Sequence, residues 1–248
     1  MLFLIDLDGT LVNSDHLHYE AYAKVIGMKV EQIQEIVETI GMTNFLIDFP
    51  NQKEIREDKL KEMLKIEHIE LIKHADKFIN FIIDNDINHV VVTNSNKRVV
   101  EHFKSKLPIL NKLKNWVVRE DYIKPKPNSE CYKLAIDLYG KGETQVLGFE
   151  NSKEGLHALT GVVKEIFCIQ PDTDYLKVID VIKTKCQKRS GMPPTNLNRM
   201  AKKRLKLSIV VSAMAGSLAL GIVLLNLRKG FQICLLYTSD AADEEDSV

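Results

Sequence analysis

Two carboxylates separated by a single residue, Asp6 and Asp8, end a short apolar run near the start of the chain. Residues 2–5 are all apolar, and an unbroken run of this kind is typical of a strand buried on both faces of a parallel sheet. Open α/β sheets bind their ligands at the carboxyl ends of their strands. Because neighbouring acids repel each other, the pair predicts a site that holds a cation or a phosphorus-centred group.

Gly9 and Thr10 follow the two acids and complete the motif DLDGT. Phosphoryl transfer needs a nucleophile in line with phosphorus, a proton donor for the leaving oxygen, and cations that hold the charge on the other oxygens. Asp6 has the position expected of the nucleophile, and Asp8 that of the general acid and base. Gly9 would allow a sharp turn beside a bound phosphate.

Three later segments place further polar residues at predicted strand ends or before predicted helices. They are "HVVVTN" at 89–94, "YIKPKP" at 122–127 and "VLGFEN" at 146–151. In the order in which they occur, DLDGT and these segments resemble the motifs of the haloacid dehalogenase superfamily, over residues 1–170. Four motifs in order are far more specific than any of them alone.

This resemblance implies a phosphatase site with defined roles. Asp6 would form an aspartyl-phosphate, which Asp8 would help to form and to hydrolyse. The Thr93 hydroxyl and the Asn94 backbone N–H would hold the phosphoryl oxygens. Lys124 would supply positive charge, because it precedes "PxP" as the family's lysine does. Lys126 is the neighbouring alternative.

The resemblance also implies Mg²⁺, bound by the Asp6 carboxylate, the Asp8 backbone carbonyl and an acid of the fourth motif. The family usually has an acidic pair there, whereas this chain has Glu150 and Asn151. An asparagine can bind Mg²⁺ through its amide oxygen but adds no charge, so we expect a weaker metal site. Glu154, one helical turn further, is an alternative ligand.

The elements expected around these residues are strands that alternate with helices, which is typical of a doubly wound parallel α/β sheet of Rossmann-like form. The predicted strands are 2–5, 89–93, 115–118, 145–149 and 165–169. Residues 14–73 break this alternation with helical periodicity and no convincing strand, so they are predicted to form a small all-helical insert. The resemblance implies that the insert is a cap, in which His18 is a candidate substrate contact or a plain surface histidine.

The C-terminal part differs in character from the rest. Residues 207–227 form a stretch of 21 residues without a charge, long enough to span a bilayer as a helix. The base-rich linker at 183–206 precedes it, which predicts a transmembrane anchor with the catalytic part in the cytoplasm. The alternative is a soluble cytoplasmic protein in which the stretch is a buried helix. Residues 234–244, "CLLYTSDAADE", resemble a translated sequencing-library adaptor, so 234–248 is predicted to be an adaptor-derived artefact.

The sequence therefore predicts an Mg²⁺-dependent phosphatase that acts on a small phosphorylated metabolite, similar to phosphoglycolate or a sugar phosphate. A phosphosugar mutase of the same branch is an alternative, and so is a non-catalytic, membrane-tethered phosphate-binding scaffold weakened by Asn151. Residues 1–182 are mildly acidic, which argues against a nucleic-acid partner. The predicted domains are a catalytic core (1–13 and 74–182), the insert (14–73), the linker (183–206), the span (207–227) and a tail (228–248).

Overall fold

The structure is a computed structural model that describes residues 1–190, 208–211, 220–227 and 231–238, with side chains for residues 1–185. Five parallel strands form its centre, in the order β3-β2-β1-β4-β5. Their bounds are β1 Leu2–Ile5, β2 Asn88–Val92, β3 Trp116–Val117, β4 Val146–Glu150 and β5 Glu165–Cys168. The parallel α/β sheet predicted from the alternating pattern is confirmed.

Eight helices are described between and after these strands. They are α1 Asp15–Ile26, α2 Val30–Ile40, α3 Gln52–Met63, α4 Ala75–Asp84, α5 Lys97–Lys106, α6 Glu130–Tyr139, α7 Lys153–Leu159 and α8 Tyr175–Ser190. Two short 3-10 helices, Pro108–Lys112 and Arg119–Asp121, flank β3.

Strand β1 is buried on both faces, as its unbroken apolar run predicts. Phe3 and Ile5 join the apolar cluster formed with α4, α5 and α8 on one face of the sheet. Leu2 and Leu4 join the cluster formed with α6 and α7 on the other face. None of these four side chains has measurable exposure, so β1 is the central strand on which both apolar layers pack.

The insert between β1 and β2 contains α1, α2 and α3, in agreement with the helical periodicity of residues 14–73. It has an apolar cluster of its own, formed by Tyr22, Ile33, Val37, Phe45, Leu46 and Ile55. Helix α1 also reaches the main core through Leu17 and Ala21. The insert is therefore a small packed unit that lies against the sheet domain.

The transmembrane helix predicted at 207–227 is not found, and that prediction is wrong for the residues described there. Residues 208–211 (β6) and 220–227 (β7) are strands, and β8, residues 231–238, joins β7 to β5 by antiparallel pairing. Residues 207 and 212–219 of the predicted span, the linker beyond residue 190, and residues 239–248 of the predicted artefact lie outside the described residues.

The reason for the error is that a run of valine, isoleucine and leucine fits a strand as well as a helix, and hydropathy does not distinguish the two. The described helices include none with the length and apolar character needed to cross a bilayer.

Candidate active site

The register of the central strands brings three motifs to one edge of the sheet. Ile5 of β1 lies beside Val91 of β2 on one side and Phe149 of β4 on the other. The residues that follow each strand therefore emerge at the same level. This places Asp6, Thr93 and Glu150 together at the carboxyl edge, as expected from the sequence.

A buried lysine lies at the centre of this edge, and it is Lys126. Its ammonium group donates to Asp6 Oδ1 at 2.5 Å, to Glu150 Oε2 at 2.8 Å and to the Val92 carbonyl at 2.9 Å. Lys126 and Glu150 are almost fully buried, and Asp6 is 6% exposed. One cation is thus shared by two buried carboxylates.

The shared lysine explains the protonation tendencies of the group. Burial alone would lower the pKa of Lys126, but Asp6 and Glu150 outweigh it and hold this pKa well above its usual value. The pKa of Asp6 is raised by its burial and by the charge of Glu150, against the opposing effect of Lys126. A further cation at Asp6 would therefore be stabilising.

The structure corrects the choice between the two lysines of "YIKPKP". Lys124 is exposed, and its backbone N–H donates to Glu130 Oε2 at 3.1 Å. It does not line the cavity, whereas Lys126 does. The doubled Lys-Pro pattern offers two registers, and the motif letters do not show which lysine faces the sheet edge.

Asp8 is held by four side chains from the insert and the core. Oδ1 accepts from Ser14 Oγ and lies 2.7 Å from His18 Nε2, while Oδ2 accepts from Thr93 Oγ1 at 3.1 Å and from Ser95 Oγ at 2.7 Å. Burial favours the neutral acid, but His18 and the hydroxyl groups outweigh it and lower the pKa of Asp8. Sequence analysis did not identify Ser14 and Ser95 as site residues.

His18 connects Asp8 to the insert helix α3. Its Nδ1 lies 2.5 Å from Lys59 Nζ. Because an ammonium group can only donate, Nδ1 is the acceptor and Nε2–H donates to Asp8. Burial and the neighbouring Lys59 lower the pKa of His18, and burial lowers the pKa of Lys59 to about 8. The prediction of His18 as a substrate contact stays a prediction, since the structure shows it bound to Asp8.

Thr93, Asn94 and Gly9, predicted to bind phosphate, differ in their contacts, and these roles stay predictions. The Thr93 hydroxyl is bound to Asp8 and accepts from the Ser95 N–H at 2.9 Å. Asn94 lines the cavity, and no partner for its backbone N–H is seen among the described residues. Gly9 has a φ of 73°, which confirms the predicted sharp turn, but its N–H donates to the Val12 carbonyl at 2.8 Å.

Glu150 was predicted as a metal ligand, and its oxygens are already occupied. Oε2 accepts from Lys126 and from the Tyr132 hydroxyl at 2.7 Å. Oε1 accepts from Asn151 N, Ser152 N and Ser152 Oγ at 3.0–3.1 Å. These five donors make Glu150 a positioning residue for Lys126 and for the loop that carries Asn151.

Asn151 lies between the turn after β1 and the start of α1. Its Oδ1 accepts from the Thr10 hydroxyl at 3.2 Å, and its Nδ2 donates to Asp15 Oδ2 at 2.9 Å. Asp15 lines the cavity and was missed by sequence analysis. Its burial, together with the charges of Asp8 and Glu150, raises the pKa of Asp15 to about 6.

A cavity of about 760 Å³ opens over these residues, with the insert on its far side. Three of the side chains that line it are cationic and separate from Lys126, namely Arg56 and Lys59 of α3 and Arg119 after β3. The lining also includes the acids Asp15, Glu120 and Glu154, so the walls of the cavity carry charges of both signs.

Glu154, the alternative metal ligand, instead joins the core to the insert. Its carboxylate accepts from the backbone N–H groups of Met42 and Thr43 at 3.2 and 3.1 Å. The Thr43 hydroxyl also donates to the Lys126 carbonyl at 2.9 Å. These contacts hold the loop between α2 and α3 against the motifs of the sheet edge.

The oxygen atoms at this edge of the sheet are of the kind that bind a hard divalent cation. The second carboxylate oxygen of Asp6 has no hydrogen-bond partner among the described residues, and neither has the Asp8 backbone carbonyl. The side chains of Asn151 and Asp15 pack against Gly9, the residue that follows Asp8, and the Asn151 amide oxygen accepts from Thr10 Oγ1 at 3.2 Å. Within the described residues no group of three or more His, Cys, Asp or Glu side chains forms a metal cluster, so an Mg²⁺ site here depends partly on carbonyl and amide oxygens.

Comparison with known proteins identifies one family and many structures of similar fold. A family profile described as haloacid dehalogenase-like hydrolase matches residues 3–160, which include all four motifs. A putative β-phosphoglucomutase from Thermotoga maritima has a TM-score of 0.55 and 17% identity, over 74% of this chain and 98% of that one.

Two other solved structures are similar to the same extent. CbbY from Rhodobacter sphaeroides, in complex with phosphate, has a TM-score of 0.56 and 18% identity, over 66% of this chain and 83% of that one. A putative phosphoglycolate phosphatase from Lactobacillus plantarum has a TM-score of 0.56 and 17% identity, with the same coverage of 66% and 83%. At these identities the likeness shows a shared fold.

Proposed function

Because the chain belongs to the haloacid dehalogenase-like hydrolase family, we propose that it is a Mg²⁺-dependent phosphatase acting on a small phosphorylated metabolite. The observation that carries this proposal is the position of Asp6. Its carboxylate is bound to the buried Lys126 through one oxygen and lines a cavity of about 760 Å³. That volume is in the range of sites for small molecules.

In the proposed reaction an Asp6 carboxylate oxygen attacks phosphorus, and the bond from phosphorus to the leaving oxygen breaks. The product is an aspartyl-phosphate, which water then hydrolyses to return Asp6 and inorganic phosphate. Lys126 offsets the negative charge of the phosphoryl oxygens from a fixed, dry position, where electrostatic interactions are strong. The Asn94 backbone N–H is available as a further donor to these oxygens.

Asp8 is the proposed general acid for the leaving oxygen and the general base for the attacking water. Its carboxylate is held ionised by Ser14, His18, Thr93 and Ser95. To donate a proton it must be protonated and must turn from these partners toward the cavity. Two of the partners, Ser14 and His18, are at the start of the insert, so the position of the insert controls this step.

Asp6, the Asp8 backbone carbonyl and Asn151 would hold Mg²⁺. When bound, the cation would offset the charge that Asp6 and the phosphoryl group bring together. Asp6 is then kept ionised and ready to attack, against the burial that raises its pKa.

Arg56 favours a substrate with a second anionic group. It lines the cavity from α3 of the insert, whereas Lys59 donates to His18 Nδ1 and the Arg119 guanidinium donates to the Tyr122 and Ile123 carbonyls. Arginine binds phosphate and carboxylate groups through paired hydrogen bonds. The substrate class is therefore a phosphorylated metabolite that carries another phosphate or carboxylate.

The test is a screen of the full chain against phosphorylated metabolites with one or two anionic groups, in Mg²⁺ or in EDTA. Asp6→Asn is the control, because it keeps the size of the side chain and removes the nucleophile. We expect phosphate release that needs Mg²⁺ and is abolished in Asp6→Asn. Turnover that persists in a folded Asp6→Asn protein would refute the role of Asp6.

The second anionic group is tested separately. Arg56→Ala should raise the KM for substrates with two anionic groups at least tenfold and leave the KM nearly unchanged for an aryl phosphate, whose phosphate is its only anionic group. Arg98→Ala, an exposed arginine outside the cavity, is the matched control. An equal effect of Arg56→Ala on both substrate types would contradict the assignment.

A further inference from the structure

Asn151 occupies the position where this family would place a second acid, and its neutral amide contacts an acid from another element. Asn151 Nδ2 donates to Asp15 Oδ2 at 2.9 Å. A carboxylate is therefore present next to residue 151, supplied by the first residue of α1 rather than by the loop after β4.

The contacts of Gly9 show how close this pair is to the Asp8 carbonyl. A Cβ atom placed on Gly9 would lie 2.0 Å from Asn151 Nδ2 and 2.4 Å from Asp15 Oδ2. Both side chains thus pack directly against the residue that follows Asp8. The Asp8 carbonyl belongs to the peptide bond that joins Asp8 to Gly9, so Asp15 lies next to one of the expected metal ligands.

The other acids of the site have partners that occupy them. Glu150 accepts five hydrogen bonds, and the Asp8 carboxylate accepts four. Glu154 accepts from two backbone N–H groups of the insert. Asp15 has one described hydrogen bond, to the amide of Asn151, and it faces the cavity. Its other carboxylate oxygen, Oδ1, therefore remains available for a cation next to the Asp8–Gly9 peptide bond.

We propose that Asp15 supplies the negative charge that Asn151 lacks, as the second carboxylate of the divalent-cation site. This inference rests on the proposed function, because it concerns the same site. Asn151 then contributes its amide oxygen and holds Asp15 in place through its amide N–H. The expected weakening of the metal site by an asparagine at 151 is offset by an acid from another element.

The test moves the acid from position 15 to position 151, and the amide from position 151 to position 15. Four proteins are compared: the parent, Asp15→Asn, Asn151→Asp, and the double variant that carries both substitutions and so has the acid at 151. Asp137→Asn, at an exposed position of α6, removes one charge away from the site and is the matched control. The Kd for Mn²⁺ is measured by electron paramagnetic resonance without substrate, with Mg²⁺ as competitor and circular dichroism as a check of folding.

We expect Asp15→Asn to raise the Kd for Mn²⁺ at least tenfold, because the site loses one of its two negative charges. The double variant should return to within about threefold of the parent, and Asp137→Asn should not change. An unchanged Kd in Asp15→Asn would overturn the inference. So would a double variant that stays as weak as Asp15→Asn, or a parent that binds no divalent cation.

The outcome is separable from that of the proposed function. Metal binding is measured without substrate, whereas the phosphatase assay of the parent tests the reaction. A parent that binds Mn²⁺ through Asp15 but releases no phosphate would support the inference and contradict the proposed function.

Discussion

Replacing Lys126 with methionine would remove the cation on which two buried acids depend. Its ammonium group lies 2.5 Å from Asp6 Oδ1 and 2.8 Å from Glu150 Oε2, and its side chain is 3% exposed. Methionine has a similar length and no charge. Lys124→Met is the matched control, because it makes the same chemical change two residues earlier at an exposed position.

The expected loss of stability in Lys126→Met follows from the burial of the two acids. Removing one partner of a buried ion pair costs about 3–5 kcal/mol, since it leaves a charge unpaired in a medium of low polarity. For a protein of this size, about 1 kcal/mol lowers Tm by roughly 2–4 °C. Lys126→Met should therefore lower Tm by roughly 6–20 °C. Lys124→Met should change stability by no more than about 0.5 kcal/mol, as surface substitutions usually do.

The loss should also depend on pH. Without Lys126, the pKa of Asp6 in the folded protein rises further above the value of about 4 for an unfolded carboxylic acid, because the cation that opposes the effect of burial is lost. The folded state then binds more protons than the unfolded state, so its stability falls as pH rises above 4. The difference in stability between parent and Lys126→Met should accordingly be larger at pH 8 than at pH 5.5.

The assay is urea unfolding of the three proteins in EDTA at both pH values, followed by circular dichroism. Phosphatase activity in Mg²⁺ is measured in parallel, and it should be lost only in Lys126→Met. Similar stability in Lys126→Met and Lys124→Met, or a deficit that does not change with pH, would refute the proposed shared ion pair.

Three further predictions concern neighbouring positions. Gly9→Ala should destabilise the protein by about 1–3 kcal/mol more than Gly27→Ala. Both glycines have φ near 75°, but a Cβ at Gly27 meets nothing within 4 Å, whereas at Gly9 it would overlap Asn151 and Asp15; equal losses in urea unfolding would contradict the close packing. Glu154→Gln should speed hydrogen exchange of the Met42 and Thr43 amides at least tenfold, because their charged acceptor is lost, and unchanged exchange of both would show that this contact does not hold the loop. In EDTA, Asp15→Asn should raise Tm at pH 8 more than at pH 5. The pKa of Asp15 is raised to about 6 in the folded protein, so the parent loses stability as Asp15 ionises with rising pH, and the variant does not. A change in Tm that does not depend on pH would contradict this.

The sheet and the family were predictable because their signals are local or ordered along the chain. The apolar run 2–5 followed by DLDGT predicts both a buried strand and the acids at its end, and the family resemblance based on the four motifs is confirmed by the profile match. The predicted hydrolase class is confirmed with it. Helical periodicity likewise predicted α1, α2 and α3 of the insert.

The errors arise where spacing along the chain does not determine position in space. Lys124 and Lys126 are two residues apart, and only the path of the loop decides which one reaches Asp6. Asp15 is distant from Asn151 in sequence, so no motif connects them. The only available signal was that Asp15 is an acid at the start of a helix close to DLDGT. In the described parts of 207–227, residues 209–211 and 222–223 are β-branched and suit strands, whereas the helix was predicted from the length of the uncharged run.

Helix α3 presents cations to the cavity and, through Ile55, an apolar side chain to the separate cluster of the insert. A change at Arg56, which is exposed, alters charge in the cavity without altering the packing of the five-stranded sheet. Lys59 differs, because its ammonium group donates to His18 Nδ1 and so supports the contact of His18 with Asp8. Substitutions at Arg56 can therefore change substrate preference at a small cost to stability. A library randomised at position 56 should yield mostly folded proteins with varied specificity.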